Sequence, residues 1–533
     1  MLAATASAQA APESSFRCFP ATVNSPVRPL KAAPSVAPSR ANDLITSPEG
    51  AVTVYSRSSF GVAPFGDMAM ETDDYGFAGI FVQAEGSDKV YIKNPFSQFV
   101  TNTYLEGTMA DGVISIELPQ HVYTIDDDEF GIVDLYAQRL IFNEDGDALI
   151  PDPDSSTFTL VLEDGRWLQD DDALLAMTFD DDAWTGYADY MLAYAPVTAQ
   201  EATLPEGLEM QKCSLICGSS GYNVDVAITA DKAYIADILD AGLAPIVGDV
   251  LSDGSLSFPS NQYLGVNEES SYLAYFYGGD LVEHYDAEVN RYFDVFELQE
   301  ALVLVPNDDK SVYTGSNDAL LTPFTQEELG NEFFWEMATF KNPELRMHQA
   351  SDFHPMAPKF DAYFYYDSFG FGYVSIDIPA LNRQGDLIDA DNMYYNIYIN
   401  GDLFTFASDW YQLLDNEYTD VPYNFTDAAD NQGDIKVEGS MHTIMLFFAG
   451  IETIGIQSYY QAEGSDERMY SYLVTYDTAT GQSTTGIANV AASDAIGTEY
   501  YNLQGIRIDR PQGLYIEAVK HSDGSVSSAL RRK

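Results

Sequence analysis

Gly107-Thr108-Met109-Ala110-Asp111-Gly112-Val113-Ile114-Ser115-Ile116 sets an Asp-Gly pair between residues that alternate apolar and polar. Alternation with period two puts every second side chain on one face of a strand, and Asp-Gly readily adopts the positive φ angles of a tight hairpin turn. The stretch therefore predicts two antiparallel strands. It also returns: Asp249-Val250-Leu251-Ser252-Asp253-Gly254-Ser255-Leu256-Ser257-Phe258 echoes it, with the two Asp-Gly glycines 142 positions apart. Upstream, Asp88-Lys89-Val90-Tyr91-Ile92 comes back as Asp231-Lys232-Ala233-Tyr234-Ile235 at a displacement of 143, and Gln120 has its counterpart in Gln262. A period this long describes whole domains rather than solenoid units. We place one β domain at 51–200 and a second, its repeat, at 201–350.

The same texture extends beyond the repeat. From about residue 51, short runs dense in Tyr, Phe, Val and Ile are broken by Asp-Gly, Asn-Gly, Gly-Gly or Pro, the punctuation of an all-β chain. Within 355–480, Tyr394 to Phe406 reads as strand, Asn400-Gly401 turn and strand, and Thr443–Phe448 and Ile454–Tyr460 add two more. About seven strands over that length predict an immunoglobulin or fibronectin III-like sandwich, without an inter-sheet disulfide because no Cys follows Cys217. The expected fold class is all-β: tandem β-sandwich-like domains in two homologous repeats, the fibronectin III-like domain, and a small C-terminal β tail. Helix is expected in two places only. Ile235, Ile238, Leu239 and Leu243 recur at helical spacing, and Thr325-Gln326-Glu327-Glu328 has the form of a capping box ahead of Phe333-Phe334-Trp335.

Composition narrows the function. The chain has 533 residues, with 83 acids against 25 Lys and Arg, a net charge of −58; 46% of it is hydrophobic and 13% aromatic. Such a chain can bury several cores, which excludes general disorder. Its charge repels phosphate backbones and anionic headgroups, which argues against nucleic-acid and membrane-surface partners. No stretch approaches the roughly 20 consecutive apolar residues of a spanning helix.

Residues 1–10, MLAATASAQA, end in Ala8-Gln9-Ala10, a small-x-small pattern that suggests the remnant of a secretory signal peptide; a plain Ala-rich terminus is the other reading. Residues 11–50 are rich in Pro, Ala and Ser and read as a flexible linker, and 481–495, rich in Thr, Ser and Ala, as another. Cys18, Cys213 and Cys217 do not make a disulfide framework. Cys213 and Cys217, with no second Cys or His pair nearby, read as strand cysteines, oxidised to each other outside a cell, rather than as a zinc site.

In the last segment, 496–533, the charge sign reverses: six Lys or Arg stand against three acids from Tyr501 onward. Tyr501-Asn502-Leu503-Gln504-Gly505 followed by Gly513-Leu514-Tyr515-Ile516, then Asp523-Gly524 and a basic end, resembles the C-terminal sorting tails of proteins exported by Bacteroidetes through type IX secretion. The chain as a whole resembles uncharacterised secreted multi-domain β-rich proteins of Bacteroidales. The resemblance implies a secreted or cell-surface location, with Tyr501, Asn502, Leu503, Gly505, Gly513, Tyr515 and Ile516 read by the secretion machinery, and it implies no activity.

Chemistry is sparsely signalled. His121, His284, His348, His354, His442 and His521 are scattered, and the chain has no HExxH helix, GxSxG elbow or phosphate-binding glycine loop. No catalytic residue is nominated. Acidic residues cluster, 18 of them between Asp126 and Asp182, and Asp/Asn/Gly loops present the hard oxygens that calcium prefers. Asp386, Asp389 and Asp391 are the calcium ligands we nominate, calcium being the one cofactor the sequence suggests; solvated turns are the alternative. Trp167, Trp184, Trp335 and Trp410 are the candidates for stacking on sugar rings, core packing being the alternative. Two functions follow: an exported binding or structural protein taking a glycan or a surface protein, or a secreted glycosidase or peptidase using dispersed carboxylates. The missing catalytic motifs favour the first.

Overall fold

The computed structural model describes residues 44–65, 68–127, 131–144, 148–240, 242–286, 291–329, 336–366, 370–407, 411, 417–426, 434–447, 449–486, 495–501, 507–508, 514–521 and 526–532. Residues 1–10, most of the 11–50 linker, Cys18, Phe333, Phe334, Trp335, Trp410, Asn502, Leu503, Gly505 and Gly513 lie outside them.

The chain is all-β. In the first unit, strand Ala51–Phe65 pairs with Met68–Gln83, and pairing continues through Lys89–Lys93, Tyr104–Ala110, Val113–Glu117, Thr157–Glu163, Arg166–Gln169 and Trp184–Pro196. Trp184–Pro196 then pairs back onto Ala51–Phe65, so the eight strands close into a ring. From the same long strand a branch runs outward through Leu174–Phe179, Gly131–Phe142 and Gln120–Asp127, with Leu149–Pro151 beside it. Closure removes the exposed edges that make open sheets prone to aggregation. Phe81, Ile92, Ile114, Phe158, Leu160 and Tyr194 fill its main core.

The second unit follows the same pairing order strand by strand. Gln211–Cys217, Ser220–Ile228, Lys232–Ala236, Ile246–Val250, Leu256–Pro259, Ala301–Pro306, Val312–Gly315 and Glu344–Arg346 form a closed barrel. Its branch runs through Ala338–Phe340, Asp318–Thr322, Leu273–Asp286 and Gln262–Val266, with Arg291–Leu298 beside it. The one long strand that serves both ring and branch in the first unit is here split in two. Side chains correspond as well. Gln120 accepts from the Glu106 amide at 2.8 Å and donates to the Glu117 carbonyl at 2.9 Å; Gln262 accepts from Val247 and donates to Pro259, each at 2.8 Å. Lys89 pairs with Glu106 and Lys232 with Asp249.

The helical expectations divide. Ile235 lies within strand Lys232–Ala236, and only a single 3-10 turn, Ile238–Asp240, follows; Leu239, at φ 65, breaks it. Barrel pairing overrode a four-residue apolar spacing too short to define a helix. The capping box does form: helix Gln326–Leu329 begins after Thr325, whose amide and hydroxyl donate to Glu328.

The third unit is a two-sheet sandwich. One sheet orders Lys359–Tyr366, Phe371–Asp377, Met441–Leu446 and Ile435–Glu438; the other orders Asp402–Leu403, Met393–Ile399, Thr453–Tyr460, Leu473–Asp477 and Gln482–Gly486. Lettered in chain order, the first eight of these strands lie as A-B-E-D against C′-C-F-G, the immunoglobulin arrangement. Val374, Ile376 and Ile444 of one sheet face Tyr395, Ile397, Ile454 and Ile456 of the other in a single core. Gln482–Gly486, read from sequence as the start of a linker, is an extra strand: its β-branched Thr484 and Thr485 suit an edge position beside Leu473–Asp477. A last four-stranded antiparallel sheet orders Arg507–Ile508, Ala495–Tyr501, Leu514–His521 and Val526–Arg532, which places Tyr501, Tyr515 and Ile516 on strands. Among the described residues no helix is long and apolar enough to cross a membrane.

Candidate functional site

On the sheet built around Met393–Ile399 and Thr453–Tyr460, alternation sends Tyr395 and Ile397 inward and Tyr394 and Asn396 outward. Tyr394 lies opposite Tyr459, and Tyr459 opposite Tyr470. The first pair stacks at 5.2 Å between centroids and 15°, and the second tilts at 5.2 Å. Tyr459 is buried, whereas Tyr394 is half-buried and borders a cleft of about 650 Å³.

Two loops make the cleft's other walls. Asp389 caps the short turn Ala390–Asn392, accepting from the Asp391 amide at 3.0 Å and from Asn392 Nδ2 at 2.7 Å, and Asn424 Nδ2 holds Asp391 at 2.9 Å. Opposite, Gln461 donates to the Ser465 carbonyl at 2.6 Å, and Gly464, at φ 72, turns the chain between them. Arg468 closes the floor. Its Nη1 and Nη2 donate to the two oxygens of Asp420 at 3.1 and 3.2 Å, its Nε donates to Gln461 at 3.1 Å, and its Cζ lies 4.6 Å from the Tyr459 centroid. Burial works to raise the Asp420 carboxyl, but hydrogen bonds from Asn396 and Arg468 and the guanidinium charge outweigh it and hold it below the ordinary range. The guanidinium is thereby fixed by a fork-shaped pair and an aromatic face, a rigid support for the tyrosine row.

The cleft offers one aromatic wall, exposed carboxylates from Asp389, Asp391 and Glu463, and the carboxamides of Asn392 and Gln461. Paired acceptors beside a ring face suit a polyhydroxylated ligand, whose hydroxyls donate to the carboxylates and whose C–H face rests on the ring. The same arrangement is poor for glycoside hydrolysis. A general acid at neutral pH is a carboxyl in an apolar wall, but Asp389, Asp391 and Glu463 are exposed and Asp420 is ion-paired.

Asp389 and Asp391 both border this cleft, but Asp386 does not join them. Its Oδ1 accepts from Arg346 at 2.9 Å and His348 at 3.0 Å and its Oδ2 from Asn382 at 3.2 Å, so its lone pairs are committed to the junction with the second barrel. Among the described residues no group of three His, Cys, Asp or Glu side chains converges to hold a metal. His348 and His354 serve separate carboxylates, Asp386 and Asp352. Of the two readings of the tryptophans, core packing describes the pair among the described residues: Trp167 and Trp184 are 5% and 3% exposed and lie within the cores of the first unit, Trp184 Nε1 donating to the Tyr187 carbonyl at 2.9 Å. Large rings on closed-barrel strands are drawn inward by the area they bury.

Cys213 and Cys217 are free. They stand four residues apart on one strand, roughly 13 Å at the rise of extended chain, beyond the roughly 7 Å a disulfide tolerates. Burial pushes the Cys213 thiol up to about 11 and the Cys217 thiol up to about 12, so neither is a reactive thiolate at neutral pH. Sequence reasoning missed Tyr394, Tyr459, Asp420 and Arg468. The Asn400-Gly401 hairpin marks the strand that carries Tyr394, but no local pattern reveals that Arg468 folds back over Tyr459.

No protein-family profile and no curated protein matches the chain. Among solved structures, it is similar to a mutant of the vaccine antigen transferrin binding protein B from Haemophilus parasuis Hp5, at 9% identity over 91% of this chain and 75% of that one, with a TM-score of 0.15. It is also similar to the tricorn protease, at 11% identity over 89% and 60%, TM-score 0.10, and to the immune modulator A of Aeromonas veronii, at 11% over 57% and 96%, TM-score 0.11. Likeness at these scores carries no argument about function.

Proposed function

We propose that this is an exported, non-enzymatic binding protein of the bacterial surface or surroundings, and that its sandwich takes a neutral glycan in the cleft beside Tyr394. The observation that supports this reading best is the joint placement of the half-exposed Tyr394 ring, its stacking partner Tyr459 and the flanking Asp389, Asp391, Asn392 and Gln461 around one open cleft. The net charge of −58 agrees with a ligand that is not an anion. The tail from Tyr501 to Ile516 agrees in sequence with a type IX sorting signal, and the paired strands there agree with a small β unit. The two barrels, with matched pairing orders, are on this reading duplicated domains that carry the sandwich.

Affinity electrophoresis of the full chain through gels containing single host or plant polysaccharides tests the proposal, with each gel assayed for released sugar. Retardation by at least one neutral polysaccharide without sugar release is expected. Release of sugar would make the protein a hydrolase, and no retardation in any gel would remove the glycan reading.

A further inference from the structure

The tyrosine row that borders the cleft continues past it. Tyr459 lies opposite Tyr470, the last residue of the short strand Met469–Tyr470. Alternation then turns Ser471 inward, 4% exposed and beside Ser458, and Tyr472 outward on the same face as Tyr470. This run is held firmly. The Ser471 amide donates to the Ser458 carbonyl at 2.8 Å, its hydroxyl accepts from the Ser458 amide at 3.0 Å, and its carbonyl accepts from Gln457 Nε2 at 2.9 Å.

Tyr472 is 43% exposed on this fixed backbone. The Arg383 guanidinium covers one face of its ring, with Cζ 4.4 Å from the centroid. Arg383 is itself pinned: Nη2 donates to the Tyr470 carbonyl at 2.7 Å, and its backbone amide donates to the His354 carbonyl at 3.0 Å. The arrangement repeats that of Arg468 against Tyr459, at 4.6 Å, with one difference. Arg468 is paired with Asp420, whereas among the described residues no carboxylate lies within ion-pair distance of Arg383. The chain carries 83 acids against 25 Lys and Arg, so a pinned guanidinium without a carboxylate is unusual in it, and its remaining N–H groups are free to donate.

We propose that Tyr472 and Arg383 form a second sugar-stacking point, so that the sandwich takes an extended glycan chain rather than a lone terminal sugar. This rests on the reading that a neutral glycan occupies the cleft at Tyr394. One sugar unit rests on Tyr394, and a later unit of the same chain rests on Tyr472 with its hydroxyl oxygens accepting from Arg383. Tyr394, Tyr459 and Tyr470 follow one another across three strands at 5.2 Å per step, and Tyr472 lies two residues beyond, so no single sugar ring reaches both ends. The net charge of −58 works against an acidic unit at Arg383 and leaves the oxygens of a neutral sugar as its acceptors.

Calorimetric titration of the full chain with a length series, disaccharide to hexasaccharide, cut from the polysaccharide that retards it tests the proposal. Affinity is expected to rise by at least about fivefold from the shortest member to the longest. Tyr472→Ala should abolish the rise and leave disaccharide affinity unchanged, Arg383→Leu should reduce it, and Tyr472→Phe, which keeps the ring, should preserve it. A purely structural role for Tyr472 would not single out the longer chains. Equal affinity along the series, a rise that survives Tyr472→Ala or Arg383→Leu intact, or one lost in Tyr472→Phe overturns this proposal while leaving the cleft reading in place. Disaccharide affinity unmoved by Tyr394→Ala, or no binding by any member, removes the cleft reading and this proposal with it.

Discussion

Tyr394 is the residue on which the binding account turns. Its ring rests on Tyr459, which is itself held by Arg468, so the ring face is presented without help from ligand. Tyr394→Ala is expected to weaken glycan binding by at least about tenfold, some 1.4 kcal/mol, and to leave the melting temperature nearly unchanged. Arg468→Ala should weaken binding less directly, by freeing the Tyr459 and Gln461 side chains, and titration calorimetry on both variants checks the order. Trp167 makes the opposite case. Since it packs in a barrel core, Trp167→Ala is expected to cost about 3–5 kcal/mol of stability in urea unfolding while leaving binding by the folded fraction intact.

Two carboxylates at element junctions contribute to acid behaviour. Asp386 ties the sandwich loop to Arg346 on the last barrel strand, and Asp420 ties Arg468 to the cleft floor. For both, burial raises the carboxyl but the donors prevail, leaving it below the ordinary value. A carboxyl lowered in the folded state contributes stability that is present above its unfolded value, near 3.9, and is lost as pH falls through the lowered value. Urea midpoints measured from about pH 5 down to about pH 2 should therefore fall less steeply for Asp386→Asn than for the native chain.

Legibility divides at this same scale. The hairpins at Asp111-Gly112 and Asn400-Gly401, the capping box at Thr325, and the sandwich between Phe371 and Asp477 are readable, because turn chemistry and alternation are local. The linker boundary at 481 and the helix proposed around Ile238 are not, because strand pairing at a distance decides both. The cleft is readable only in part: Asp389 and Asp391 stand out as an acidic loop, whereas Tyr394 is hidden in a run of five residues, Met393 to Ile397, whose faces alternate only once the sheet is known. Asp386 stood out for the same reason as its neighbours, and its commitment to Arg346 and His348 depends on a barrel 40 residues away.

For the whole molecule, a net charge of −58 means self-repulsion that salt screens. Raising sodium chloride from about 0.01 to about 0.2 M should raise the melting temperature, and glycan affinity should stay within about twofold, since a neutral ligand feels no screened attraction. The barrels and the Arg346–Asp386 junction give the sandwich a supported base, consistent with a protein that presents one binding cleft. The most direct test of that claim is titration of the full chain and of Tyr394→Ala with a neutral oligosaccharide drawn from whichever polysaccharide retards the native protein. A saturable heat for the native chain that drops at least about tenfold in affinity for the variant is the predicted result; equal affinity in both would show that the glycan binds elsewhere and that this cleft is not the site.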